Sequence, residues 1–296
     1  MDIRAILMGL AFAIMWASAF STSRMIVLEA PPLMALALRF AISGVIGVAI
    51  ALAMGQSWRG LTRAQWRAVM LLGLCQNALY LGLNWVAMQW IEAGLASIIA
   101  ATMPLMVAFF GWIFLGERLR PLGIGGLLLG LIGVAIIMGA RLQGGSDAVG
   151  IAMGFVAALA LAIATLSVRG ASAGGNVMMI VGLQMLVGAA ALSVIAPLVE
   201  TWHGTVTPRL ALAFLYTVLV PGLLATWVWF ELVGRIGAVR AATFHFLSPF
   251  FGVTIGAILL GERLGISDVI GVAIIMAGIL AVQLSRQPTV RRPPAA

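Results

Sequence analysis

Four polar residues, Gln76, Asn77, Tyr80 and Asn84, interrupt a run that is otherwise leucine-rich. The last three follow i, i+3, i+7 spacing and fall on one helical face. There they could form a hydrogen-bonding wall for a ligand or bond neighbouring helices to one another. Trp16, Phe20 and Ser23 share a face of the first apolar run, with Trp16 near its middle, where a ring can line a pocket or pack. Trp229 offers a further ring. His245, near Thr243 and Ser248, could move protons on titration or act as a neutral hydrogen-bonding group. Arg39 stands two turns into a second apolar run. It could meet a substrate carboxylate bidentately or snorkel to the surface. Together Trp16, Phe20, Arg39, Asn77, Tyr80, Asn84, Trp229 and His245 make the candidate substrate-binding set.

The same residues exclude several chemistries. There is no Gly-x-Ser-x-Gly, His-Glu-x-x-His or phosphate-binding loop, so neither an enzyme nor ATP hydrolysis is expected. A single cysteine, Cys75, and two histidines, His203 and His245, cannot build a thiolate or zinc site, and no cofactor is expected. Pro104 and Pro249 should break backbone bonds in mid-helix and act as gating hinges or shape a central cavity. Glu117-Arg118 and Glu262-Arg263 fall at helix ends, where the glutamates should tie short turns.

The elements that hold these residues follow from composition. Of 296 residues, 63% are hydrophobic and only 9% charged, with mean hydropathy +1.15. A soluble domain could not cover that apolar surface with so few charges. With about 20 residues per crossing, apolar stretches mark ten transmembrane helices at about 5–23, 32–54, 68–88, 94–115, 122–140, 148–168, 177–199, 210–233, 238–260 and 266–284. Arg4, an apolar run and Ala17-Ser18-Ala19 have a signal-peptide layout, but the apolar run continues beyond them. The net charge of +8 comes from scattered arginines with no basic face, which argues against nucleic acid. With a cytoplasmic N-terminus, the inner segments hold Arg4, Arg59, Arg63, Arg67, Arg118, Arg120, Arg169, Arg235, Arg240, Arg286, Arg291 and Arg292. The outer loops hold only Arg24, Arg141, Arg209 and Arg263. The excess of positive charge inside places both termini in the cytoplasm of a cell (inner) membrane.

Two stretches of the chain match one another. Phe109-Phe110-Gly111 leads into Leu115-Gly116-Glu117-Arg118-Leu119, and Phe250-Phe251-Gly252 leads into Leu260-Gly261-Glu262-Arg263-Leu264. The same offset of 145 residues pairs Pro104 with Pro249, Gly126 with Gly271, and Gly133 with Gly278. Each copy holds five helices, an odd number, so the copies must cross the membrane in opposite senses. Residues 1–142 and 146–286 thus form two inverted five-helix repeats, and 287–296 a disordered tail. In transporters such repeats place the substrate path at their interface.

These residues resemble the drug/metabolite transporter superfamily in its EamA-type branch, and within it the YddG-type aromatic amino acid exporters. The resemblance implies ten helices, inverted halves and export of small metabolites, but carries no ligand residues with it. The reading that emerges is an alternating-access exporter of aromatic or large neutral amino acids, with a multidrug or cationic drug exporter as the alternative. Its partners would be a small-molecule substrate and the lipid bilayer, with the chain a monomer or weak homo-oligomer.

Overall fold

The computed structural model describes residues 3–116, 120–143, 147–167, 175–202, 205–237, 241 and 243–285. Glu117, Arg118 and the proposed tail lie outside them. The described chain is helical: α1 (Ile3–Val27), α2 (Pro32–Ala53), α3 (Arg63–Ala87), α4 (Ala93–Phe114), α5 (Pro121–Gln143), α6 (Ala148–Ser167), α7 (Val177–Val199), α8 (Pro208–Ile236), α9 (Ser248–Leu260) and α10 (Ile266–Ser285). Among the described residues, nine helices are long and apolar enough to cross a membrane. The remaining apolar segment, Phe244–Leu260, is shorter.

Helix starts carry their expected chemistry. Thr62 and Gln65 form a capping box at α3. Thr207 caps α8 ahead of Pro208, and Asp147 accepts from the Val149 and Gly150 amides at α6. Other starts are capped from far away in the chain. Glu200 accepts from the Leu33 and Met34 amides of α2 at 3.0 Å, and Gln56 accepts from the Met179 amide of α7 at 2.9 Å. Met34 and Met179 are 145 residues apart and Gln56 and Glu200 144, so these two caps correspond under the repeat to within one residue.

Three features depart from the sequence-based expectation. Pro104 lies inside the span α4 and Pro249 inside the apolar segment Phe244–Leu260, but each falls in the first turn of the helix that resumes after a break and not within a continuous bent helix. Proline costs little there, because its missing N–H would have no intrahelical partner. What breaks is the chain just before: α4 is interrupted at Ala101 and Thr102, and a 3₁₀ turn over Thr243–Leu247 precedes α9. His245 accordingly sits in that tight turn and not two turns into an α-helix. Finally, α3 and α8 each contain a π-helical stretch, Leu72–Leu81 and Val218–Leu224, at matching places in the two copies. Pro221 lies inside the second. Such i→i+5 turns concentrate at functional sites.

The Leu-Gly-Glu-Arg-Leu motif gains a backbone explanation. Gly116 and Gly261 end α4 and α9 at φ of 66° and 67°, the left-handed conformation that glycine adopts without a Cβ clash.

Glycine also sets the closest helix contacts, α5 with α10 and α2 with α7. A Cβ on Gly126 would lie 2.7 Å from the Gly278 carbonyl oxygen, and one on Gly133 would lie 2.8 Å from that of Gly271. The helices therefore cross antiparallel. The 145-residue offset turns the first contact into the second, so the crossing is self-complementary. At α2–α7 a Cβ on Gly47 would lie 3.2 Å from the Gly182 Cα. Without a hydrophobic drive between helices in lipid, this backbone approach is what holds them.

Gly271→Val should place a branched side chain against Ile137 and the Gly133 carbonyl and cost about 1–3 kcal/mol by overpacking. Gly125→Ala and Gly139→Ala, which meet nothing within 4 Å, should leave stability unchanged or slightly higher. Thermal unfolding of the three purified variants in detergent checks the contrast.

Candidate functional site

Helices α1 and α8 and the turn before α9 bring three of the candidate residues together. Trp16, Trp229 and His245 are half-buried around the buried ring of Phe12. Phe12 lies 5.9 Å from Trp16, 4.8 Å from Trp229 and 4.9 Å edge-on from His245, between ring centroids. His245 in turn meets Trp16 at 5.7 Å and Trp229 at 5.0 Å. Edge-to-face pairs of this kind contribute about 0.5–1.5 kcal/mol each beyond the area they bury. The cluster joins α1 of the first copy to α8 and the turn before α9 of the second. Sequence reasoning missed Phe12, although it precedes Trp16 by four residues and so shares its face.

Polar contacts tie the same helices nearby. The Ser18 hydroxyl and Tyr216 hydroxyl are 2.8 Å apart, and Thr217 donates to Thr22 at 2.9 Å. These side chains were also missed, since single hydroxyls in apolar runs carry no pattern.

The polar stripe of α3 divides. Asn77 donates to the Gln184 carbonyl of α7 at 2.9 Å, and its Cβ leaves room only for a glycine, Gly188, opposite. Tyr80 is buried against Ala157 and Leu161 of α6. The wider π turn between them rotates successive residues less than an α-helix does, so the i, i+3, i+7 count no longer describes one face. Asn84, 1% exposed, has no partner for either side-chain atom. Phe20 is buried in the main apolar cluster with Leu36, Phe40 and Trp85. Arg39 is buried within α2 and not extended to the surface.

At α4 the motif glutamate meets a helix start. Glu262 accepts from the Ala93 amide at 2.6 Å and the Gly94 amide at 2.8 Å. Partial burial pushes its carboxyl up from the usual range, against the pull of those two amides and of Arg24. The equivalent Glu117 lies outside the described residues.

Nine helices long and apolar enough to span among the described residues, glycine-welded helix pairs and a ring cluster shared between the two copies define a polytopic membrane protein of the transporter kind. The EamA-like transporter family matches residues 3–139 and again residues 148–284, and this chain belongs to it. It is 27% identical over 275 residues to the uncharacterized transporter YvbV of Bacillus subtilis, covering 92% of this chain and 90% of that protein. It is 28% identical over 286 residues to the uncharacterized inner membrane transporter YedA of Escherichia coli K12, covering 95% and 91%. A shorter match, 32% identical over 160 residues and 54% of each chain, is to the aromatic amino acid exporter YddG of Ancylobacter novellus. A crystal structure sharing 24% identity superposes with a TM-score of 0.66 over 96% of this chain and 98% of that one, a likeness of fold.

The two asparagines of α3 should separate on substitution. Asn77→Leu loses an interhelical bond worth about 0.6–2 kcal/mol and should lower the melting temperature. Asn84→Leu loses no partner and should melt no lower than wild type while impairing transport. Thermal unfolding paired with a liposome flux assay tests this; an equal loss of stability in both would make Asn84 a packing residue.

Proposed function

We propose that this protein is a secondary transporter that exports small amphipathic metabolites, aromatic or large neutral amino acids foremost, by alternating access. The path runs through a central cavity between two inverted five-helix halves of a ten-span bundle, with both termini cytoplasmic in the cell (inner) membrane. The chain acts as a monomer or weak homo-oligomer.

The observation that carries this reading is the ring cluster of Trp16, Trp229 and His245, half-buried around the buried Phe12 and built from both copies. Ring faces at that junction suit an aromatic or apolar side chain. The partial similarity to an aromatic amino acid exporter supports the same substrate class. The inverted arrangement is supported by the equivalent caps at Met34 and Met179 and by the self-complementary Gly126–Gly278 and Gly133–Gly271 contacts. The interrupted α4 and the turn before α9 are discontinuities of the sort that transporters use near their substrate sites. Pro104 and Pro249, placed directly after them, set where each helix resumes and so where it can pivot.

A cationic drug is the weaker fit. All nine acidic residues lie at or near helix ends, so no fixed negative charge awaits a cation at mid-membrane.

Counterflow in proteoliposomes tests the proposal. Vesicles preloaded with phenylalanine should take up labelled phenylalanine and tryptophan, and Trp16→Ala should weaken aromatic substrates more than threonine or alanine. Movement of quaternary ammonium dyes without aromatic amino acids would instead establish the drug exporter.

A further inference from the structure

Arg39 is 7% exposed, and its guanidinium carbon lies 5.3 Å from the Phe40 ring centroid and 5.9 Å from that of Trp85. Among the described residues no carboxylate and no hydrogen bond reaches it, and its Nε is buried without a partner. A snorkelling arginine would run its head to the surface, and a structural one would hold an acidic side chain or a carbonyl. This one does neither. Its guanidinium lies against two ring faces with no anion beside it, a setting in which it can take one.

Two more buried polar groups without partners are tied to Arg39, one by sequence along α2 and one through the neighbouring residue Trp85. Ser43, one turn along α2 from Arg39, is 1% exposed with its hydroxyl unbonded. Asn84, next to Trp85 in α3, has both side-chain atoms unbonded. Each such group in hydrocarbon is costly unless something completes it. At the position equivalent to Arg39 in the second copy stands Gln184, so the charge belongs to one half alone.

Depth along the helices fits one ligand. Arg39 is seven residues from the Pro32 end of α2, about 10 Å, and Trp16 eleven residues from the Val27 end of α1, about 16 Å. Those two ends are joined by the short link 28–31. Charge and ring therefore differ in depth by about 6 Å, close to the reach from carboxylate to ring in an aromatic amino acid. We propose that Arg39, with Ser43 and Asn84, forms a carboxylate-recognising subsite of the path, so that the substrates are organic carboxylates and amines of the same shape are refused. The proposal rests on the transporter reading above.

The test is competition against labelled L-phenylalanine on the purified full-length protein. L-Phenylalanine and 3-phenylpropanoate should compete, whereas L-phenylalaninamide and 2-phenylethylamine should need at least about tenfold more. Arg39→Gln should weaken phenylalanine by a similar factor and abolish the difference between acid and amide. Equal competition by phenylalanine and its amide in wild type overturns the subsite, and the wild-type series decides alone if the variant does not fold. If labelled phenylalanine does not bind, the aromatic reading fails separately. Thermal shifts with alanine, alaninamide and pyruvate then decide: stabilisation by the carboxylates alone upholds the subsite, and stabilisation by none overturns it.

Discussion

A backbone amide left unpaired in hydrocarbon has no water to turn to, and that constraint organises this protein. Every helix begins with several N–H groups that its own turns cannot satisfy. Here many of them are met by side chains distant in sequence: Glu200 at α2, Gln56 at α7 and Glu262 at α4. Each of these three caps joins one copy of the repeat to the other, so each copy depends on the other to complete at least one helix start. A carboxylate at a helix N-terminus also meets the positive end of the helix dipole, which helps offset the cost of bringing it near lipid. The motif Leu-Gly-Glu-Arg-Leu condenses this logic, with the glycine stopping one helix so that the following glutamate can begin another.

Glycine contacts supply the rigid counterpart. The α5–α10 and α2–α7 pairs pack backbone to backbone, leaving little freedom for those helices to slide. The irregular elements are elsewhere: the break in α4, the 3₁₀ turn before α9, and the π stretches of α3 and α8. Candidate ligand residues gather on these irregular helices and on α1 and α2, which pack beside them. Stiff pairs flanking irregular ones are a reasonable mechanical basis for a path that opens alternately on two sides.

Much of this was legible in the chain. Apolar length marked most helices to within a few residues, although the ninth, expected over 238–260, is α-helical only over Ser248–Leu260. The 145-residue offset singled out the four glycines of the α5–α10 crossing as equivalents, Gly126 with Gly271 and Gly133 with Gly278, while the touching pairs are Gly126 with Gly278 and Gly133 with Gly271. Trp16, Trp229 and His245 were named separately and converge. What could not be read was tertiary in origin. Nothing local announces the π stretch at Leu72–Leu81, and only Pro221 hints at its counterpart. Phe12 is one apolar residue among many, and Gln56 and Glu200 look like ordinary loop residues until their distant amides are seen. The prolines do mark breaks in apolar segments, but as the first turn of the helix that follows each break and not as bends in a continuous helix, and pattern alone does not separate the two.

The central claim is that the two copies run in opposite senses, so the corresponding cap sites at Gln56 and Glu200 lie on opposite faces of the membrane. Single cysteines placed at Ser57 and Asn176, and at Trp202 and Val206, in a Cys75→Ser background can be probed in intact cells with a membrane-impermeant thiol reagent. The account predicts that Trp202→Cys and Val206→Cys label from outside while Ser57→Cys and Asn176→Cys label only after the cells are opened. Labelling of both groups from the same side would contradict it.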